Sequence, residues 1–188
     1  MYYRFHWDAE AGLKGLKLAI ISEQPDTGVT WLTGKHFKRK VDEPIRCLLD
    51  PSSGPDMPDV FLFGEIPIFS NRLVEALHKA GVDNIDIYEA ILVAPETKKV
   101  WKDYKAVNIV GKIECANLNK SEYDQDSEYP MIEFEKLILD EKKIEGVKMF
   151  RLAENPSFIL INEDVKEVID RSKWVGLRIL SLDDFEAY

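Results

Sequence analysis

Cysteine is scarce in this chain: Cys47 and Cys115 are the only two among 188 residues, far apart and without CxxC or Cys/His ligand spacing. Such a pair reads as reduced, partly buried thiols and requires no oxidising compartment. No apolar run reaches the roughly 18 residues of a membrane span. The opening MYYRFHWDAEAG has neither a basic start nor an apolar stretch, so no secretory signal is expected and the expected location is cytoplasmic. HxxxH, HExxH and Cys/His sets are missing, which gives zinc no evident home. GxGxxG, GxxxxGK[ST] and GxSxG are missing too, so neither a nucleotide cradle nor a nucleophile elbow is supported. The expectation is a protein with no cofactor and no metal.

What is present is a globular composition, 45% hydrophobic and 31% charged. A chain of this length buries roughly 70% of its unfolded surface and needs no disulfide or metal to hold it together. The net charge of −9 is unevenly placed. Residues 1–50 carry 8 Lys/Arg against 7 Asp/Glu, whereas residues 114–145 carry 10 acids against 4 bases. A nucleic-acid backbone is repelled by such a surface, so no nucleic-acid partner is expected. A basic protein is attracted to it, and steering speeds that encounter.

The hydrophobic pattern repeats once. IPIFSNRLVEALHKAGVDNIDIY and the segment around FILINEDVKEVIDRSKWVGLRIL share one plan at a shift of 92 positions: Ser70 falls on Asn162, Leu73 on Val165, Leu77 on Ile169 and Ile85 on Leu177. In each, an apolar strand meets an N-capping residue, a short amphipathic helix follows, and a second strand comes after. Further strands are read at 2–7, 16–22, 102–114, 130–140 (with a bulge), 146–153 and 157–161. Pro44, Pro51, Pro55 and Pro58, with Ser52-Ser53-Gly54, make an irregular connection between packed segments at 46–50 and 60–64. It separates an N-terminal strand-rich portion, residues 1–58, packed on the body, from a main unit at 59–188. The expected fold is α+β, a mostly antiparallel sheet with two amphipathic helices in a duplicated strand–helix–strand unit.

Candidate chemistry is thin. His6 lies in an aromatic strand, His78 on the wet face of the first helix, and His36 in the basic run KHFKRK. Asp56, Asp59 and Glu65 are the carboxylates on which a hydrolase or nucleic-acid-processing enzyme would have to rest, but acids beside prolines are common in turns. A structural adaptor using its sheet edge is a further alternative. SEYDQDSEYP suits recognition better: Glu122, Asp124, Asp126 and Glu128 alternate with Tyr123 and Tyr129, so long-range attraction is joined to rigid amphipathic contact area. The C-terminal LDDFEAY is a shorter patch of the same kind.

In order, Pro67 and Ser70 before the first helix, Tyr104 and Asn108 in the following strand, Ser121, Phe150-Arg151-Leu152 and Gly176-Leu177 resemble one bacterial family over residues 59–180. It is the immunity-protein family of polymorphic toxin systems, of the myxobacterial type, formerly a domain of unknown function. Asn117 stands where an acid is expected and Val175 where a Thr is common. The resemblance implies that 59–188 is an immunity-type domain. It also implies a non-enzymatic protein that binds and neutralises a cognate toxin, for which a basic active-site cleft would suit the acidic segment. Residues 1–58 carry no part of the resemblance.

Overall fold

The computed structural model describes residues 1–8, 15–23, 25–62 and 64–183. Among these residues two α-helices form, and both begin where the sequence places their caps. Helix α1 (Asn71–Lys79) opens at Ser70, whose hydroxyl accepts the N–H of Leu73 at 3.3 Å. Helix α2 (Glu163–Ile169) opens at Asn162, whose side-chain oxygen accepts the N–H of Val165 at 3.1 Å. In both, an otherwise unpaired donor of the first turn is satisfied three residues downstream of the cap. Glu163 and Asp164 also place negative charge at the positive end of α2. Leu73, Val74 and Leu77 of α1 and Val165 and Ile169 of α2 are buried, and the two helices touch.

The strands flanking each helix are not neighbours in the sheet. Strands β5 (Ile68–Ser70) and β6 (Ile85–Val93) lie on either side of β7 (Val100–Ile109), antiparallel to it. Strands β12 (Ile159–Asn162) and β13 (Leu177–Ser181) lie in the same way on either side of β1 (Tyr2–Trp7). The registers agree as well. Ile68 faces Ala106 and Ile85 faces Ile109, three residues further along β7. Leu160 faces Arg4 and Leu177 faces Trp7, three residues further along β1. The duplication therefore extends to the intervening strand. In the first unit that strand follows directly, and in the second it comes from the far end of the chain.

The remaining strands extend these two cores into a nearly closed mixed sheet. A six-stranded part runs β2 (Ala19–Ile21), β3 (Ile45–Leu49), β6, β7, β5, β4 (Val60–Phe61). A five-stranded part runs β13, β1, β12, β11 (Met149–Leu152), β8 (Lys112–Ile113). The parts are joined where β7 turns at Gly111 into β8, and again where Asp59 N–H donates to the Val175 carbonyl at 2.8 Å. The sheet is mostly antiparallel, as expected, and is mixed through two parallel pairings that the sequence did not reveal: β3 with β6, and β8 with β11. Apolar runs as short as IRCLL fix burial but carry no information on strand direction. The expected strand at 130–140 is reduced to β10 (Phe134–Lys136), paired with β9 (Glu122–Tyr123), and a register shift falls between Phe134 and Lys136.

Three apolar clusters result. The central one lies between the helices and the sheet and includes Phe5, Phe69, Leu73, Leu77, Val107 and Ile161. On the outer face of the six-stranded part, Trp31, Val41, Ile45 and Leu92 form a second. Trp31 there meets Phe37 and Tyr88 edge-on, at 4.7 and 5.6 Å between ring centroids. On the outer face of the five-stranded part, residues from the acidic segment cover Phe150, Leu152 and Leu160.

Candidate partner-binding surface

The acidic segment is a lobe clamped to the sheet by its own backbone. Cys115, Ile132, Phe134, Leu137 and Ile144 supply its apolar underside. The turn between β11 and β12 supplies polar ties. Glu154 Oε1 accepts the N–H of Ala116 at 2.8 Å, the Glu154 carbonyl accepts the N–H of Ile132 at 3.0 Å, and Asn155 Nδ2 donates to the Ile132 carbonyl at 2.9 Å. Tyr2 OH donates to the Val147 carbonyl at 2.9 Å, tying β1 to the same lobe. Glu154 and Asn155 are buried, and Glu154 Oε1 and Asn155 Nδ2 replace water with backbone partners.

The connection from β9 to β10 carries the acids. Asp124 Oδ1 accepts the N–H of Asp126 at 2.9 Å, and the Asp124 carbonyl accepts the N–H of Ser127 at 3.1 Å, a tight turn built by the aspartate itself. Glu122, Asp124, Asp126 and Glu128 are all exposed. The two tyrosines part company. Tyr123 turns inward onto Phe134, ring centroids 6.0 Å apart, whereas Tyr129 is 59% exposed. Two residues on, Met131 is 51% exposed, an apolar side chain just outside the 121–130 segment. The segment thus exposes two large side chains, Tyr129 and Met131, and four carboxylates. Of the C-terminal patch, residues 184–188 lie outside the described residues.

The other titratable candidates are drawn into internal ties. Asp59 is 5% exposed and accepts from Ser70 Oγ at 2.7 Å, from Arg72 Nε at 2.6 Å, from Arg72 Nη2, and from the N–H of Val175 at 2.9 Å. Burial alone would raise its pKa. The Arg72 guanidinium, the Val175 N–H and the Ser70 hydroxyl outweigh that and hold it below the usual carboxylate range. With its lone pairs so engaged, Asp59 is a strut between α1 and the approach to β13, with little left to take a proton from a substrate. Asp56 is exposed, and Glu65 lends its backbone carbonyl to buried Arg151 at 3.5 Å. His6 is pushed down to about 4 by burial and by Arg4 and Arg178, so it is neutral at physiological pH. Cys47 and Cys115 are buried thiols, each pushed up to about 12 chiefly by that burial. Among the described residues no group of three or more His, Cys, Asp and Glu is placed to hold a metal ion, and no helix is long and apolar enough to cross a membrane.

One constellation was not readable from spacing. His36 Nδ1 lies 2.9 Å from both carboxylate oxygens of Asp86, and Asn108 Nδ2 donates to Asp86 Oδ2 at 3.1 Å and to the Lys35 carbonyl at 2.9 Å. Asn108 is completely buried in β7, so it fixes both the carboxylate and the backbone that carries the imidazole. The three side chains come from a loop, β6 and β7, and no local pattern could have joined them.

The sequence model of the Immunity protein family (Imm11) matches residues 4–184, and the chain belongs to that family. The match takes in nearly all of the N-terminal portion that carried no resemblance, in keeping with the place of β1 at the centre of the second unit. No curated protein matches the chain.

Proposed function

We propose that this protein binds and neutralises a cognate toxin of a bacterial polymorphic toxin or contact-dependent competition system, with no covalent bond made or broken. Membership of the immunity family across residues 4–184 is the observation that carries this reading. The proposed contact is the acidic lobe: Glu122, Asp124, Asp126 and Glu128 steer a basic toxin face inward, Tyr129 and Met131 supply the apolar centre, and Tyr123 buttresses the hairpin from beneath. Aromatic anchors ringed by polar groups are where binding energy concentrates, and a stable complex buries on the order of 1,600 Å² in all. A toxin with a basic active-site cleft fits that charge, and the cytoplasm is the proposed meeting place. Co-expression with the polypeptide encoded by the adjacent gene tests the reading. Rescue of growth and co-purification are expected, and the absence of both would sink it.

A further inference from the structure

Strand β6 has a neighbour on both sides over only part of its length. β7 pairs it from Ile85 to Val93, but β3 pairs it only from Ala90 to Val93. The N–H of Val110 donates to the Asn84 carbonyl at 2.8 Å, which marks residues 84 and 110 as a hydrogen-bonded pair. Hydrogen-bonded pairs alternate along an antiparallel ladder, so Asp86 and Tyr88 also turn their backbone groups to β7, and Ile85, Ile87 and Glu89 turn theirs away. The Glu43 carboxylate accepts the outward N–H of Glu89. No strand among the described residues meets Ile85 and Ile87.

A groove of about 620 Å³ lies along this stretch, lined by Ile85, Asp86, Ile87 and Tyr88 and walled by His36, Phe37 and His78. Successive strand residues point to opposite faces. A cavity touched by all four of 85–88 therefore wraps the edge of β6 and not one of its faces. Ile85 and Ile87 pack toward the central core and Tyr88 toward the second, with α1 supplying His78 and the 25–44 segment supplying His36 and Phe37. Charges of both signs lie near it in sequence: Lys35, Lys38 and Lys40 flank His36 and Lys79 follows His78, whereas Asp83 precedes β6 and Glu43 meets Glu89 at the other end. Asp86 is already engaged by His36 and Asn108.

We propose that this slot takes an extended segment of the protein partner, which adds to β6 as a short strand through the outward backbone groups of Ile85 and Ile87. The proposal rests on the toxin-inhibitor reading and gives the partner a second contact, apart from the acidic lobe. Backbone bonds to Ile85 and Ile87 supply affinity, and the His36/Phe37 and His78 walls select side chains. Glu43 closes the slot at Glu89, so the added strand spans about four residues, or about 13 Å.

The test uses the intact protein and the polypeptide of the adjacent gene. Ile87→Pro removes an outward donor without touching the β7 ladder, and Ile87→Ala removes the same side chain but keeps the N–H. Binding by Ile87→Pro is expected to be about tenfold or more weaker than by Ile87→Ala, the effect of one partner group left unpaired. If Ile87→Pro does not fold, amide exchange on the wild type decides: the Ile85 and Ile87 amides are expected to slow by about tenfold or more in the complex. Equal binding by the two variants, or unchanged exchange at both amides in a complex that does form, overturns the slot and leaves the inhibitor reading standing. No complex with the wild type removes the inhibitor reading, and the slot with it.

Discussion

Replacing Asp59 by Asn tests the joint between the two strand–helix–strand units. The wild-type carboxylate receives two donors on each oxygen: Ser70 Oγ and Arg72 Nε on Oδ1, Arg72 Nη2 and the Val175 N–H on Oδ2. An amide of the same shape must set its NH2 against one of those pairs, whichever way it is flipped. Hydrogen bonds to a charged group contribute about 1.5–3 kcal/mol each. Two are lost, but the Arg72 side chain is 52% exposed and recovers part of the loss in water. The net cost at neutral pH is then about 3 kcal/mol, which lowers Tm by about 6–12 °C for a chain of this size. The sign with pH is fixed by the depressed pKa of Asp59. Its contribution is complete above the unfolded carboxylate value of about 4 and is lost as pH falls through the lower folded value. Urea titrations of both proteins at pH 7 and at a series of acid pH values measure the gap between them. A gap under about 0.5 kcal/mol at pH 7, or one that fails to narrow below about pH 4, refutes the assignment of Asp59 as a charged strut.

Other outcomes are as specific. Reversing Glu122, Asp124, Asp126 and Glu128 to Lys is expected to slow association with the toxin by about tenfold or more at low salt, with the difference shrinking as salt is added. Tyr129→Ala is expected instead to speed dissociation by about tenfold, because a buried aromatic anchor acts after the encounter; surface plasmon resonance separates the two. Asn162→Ala is expected to cost about 1 kcal/mol of stability, and Ser70→Ala more, since Ser70 both caps α1 and donates to Asp59. Gly34 has φ +66°, and a Cβ there would fall 2.6 Å from Lys112 Cβ, so Gly34→Ala is expected to destabilise by about 2 kcal/mol in thermal melts. Cys47 and Cys115 are expected to resist a thiol reagent at pH 7.5 until urea unfolds the chain; labelling of both in the native state would contradict their burial.

The parts of this fold that could be read in the sequence are those with local causes. Ser70 and Asn162 announce helix starts by side-chain chemistry three residues long, and the shift of 92 positions between the units survives intact in the two helices. Strand partnership depends on residues far away, and there the reading ran out. YYRFHW is readable as a strand, yet nothing in it says that it takes the place in the second unit that β7 takes in the first. RCLLD and VFLFG were legible as packed, and only the assembled sheet shows them as β3 and β4. The acidic lobe was visible as a run of charge, but the inward turn of Tyr123 and outward turn of Tyr129 depend on the pairing of β9 with β10. The His36–Asp86–Asn108 contact spans three elements, so spacing could not reveal it.

The position of β1 also bears on how the molecule is made. Tyr2–Trp7 leaves the ribosome well ahead of β12 and β13, the two strands it must lie between. At synthesis rates of about 5–20 residues per second, this aromatic ribbon waits roughly ten to thirty seconds for its partners. Late in that interval, once Ile109 has emerged, the first unit can already close on itself, since β5, α1, β6 and β7 emerge consecutively. The nascent chain thus has a half that matures earlier and a half that is sealed only once β12 and β13 have emerged, and a stall or early stop between the two would release Tyr3, Phe5 and Trp7 uncovered, a handle for chaperones or for degradation.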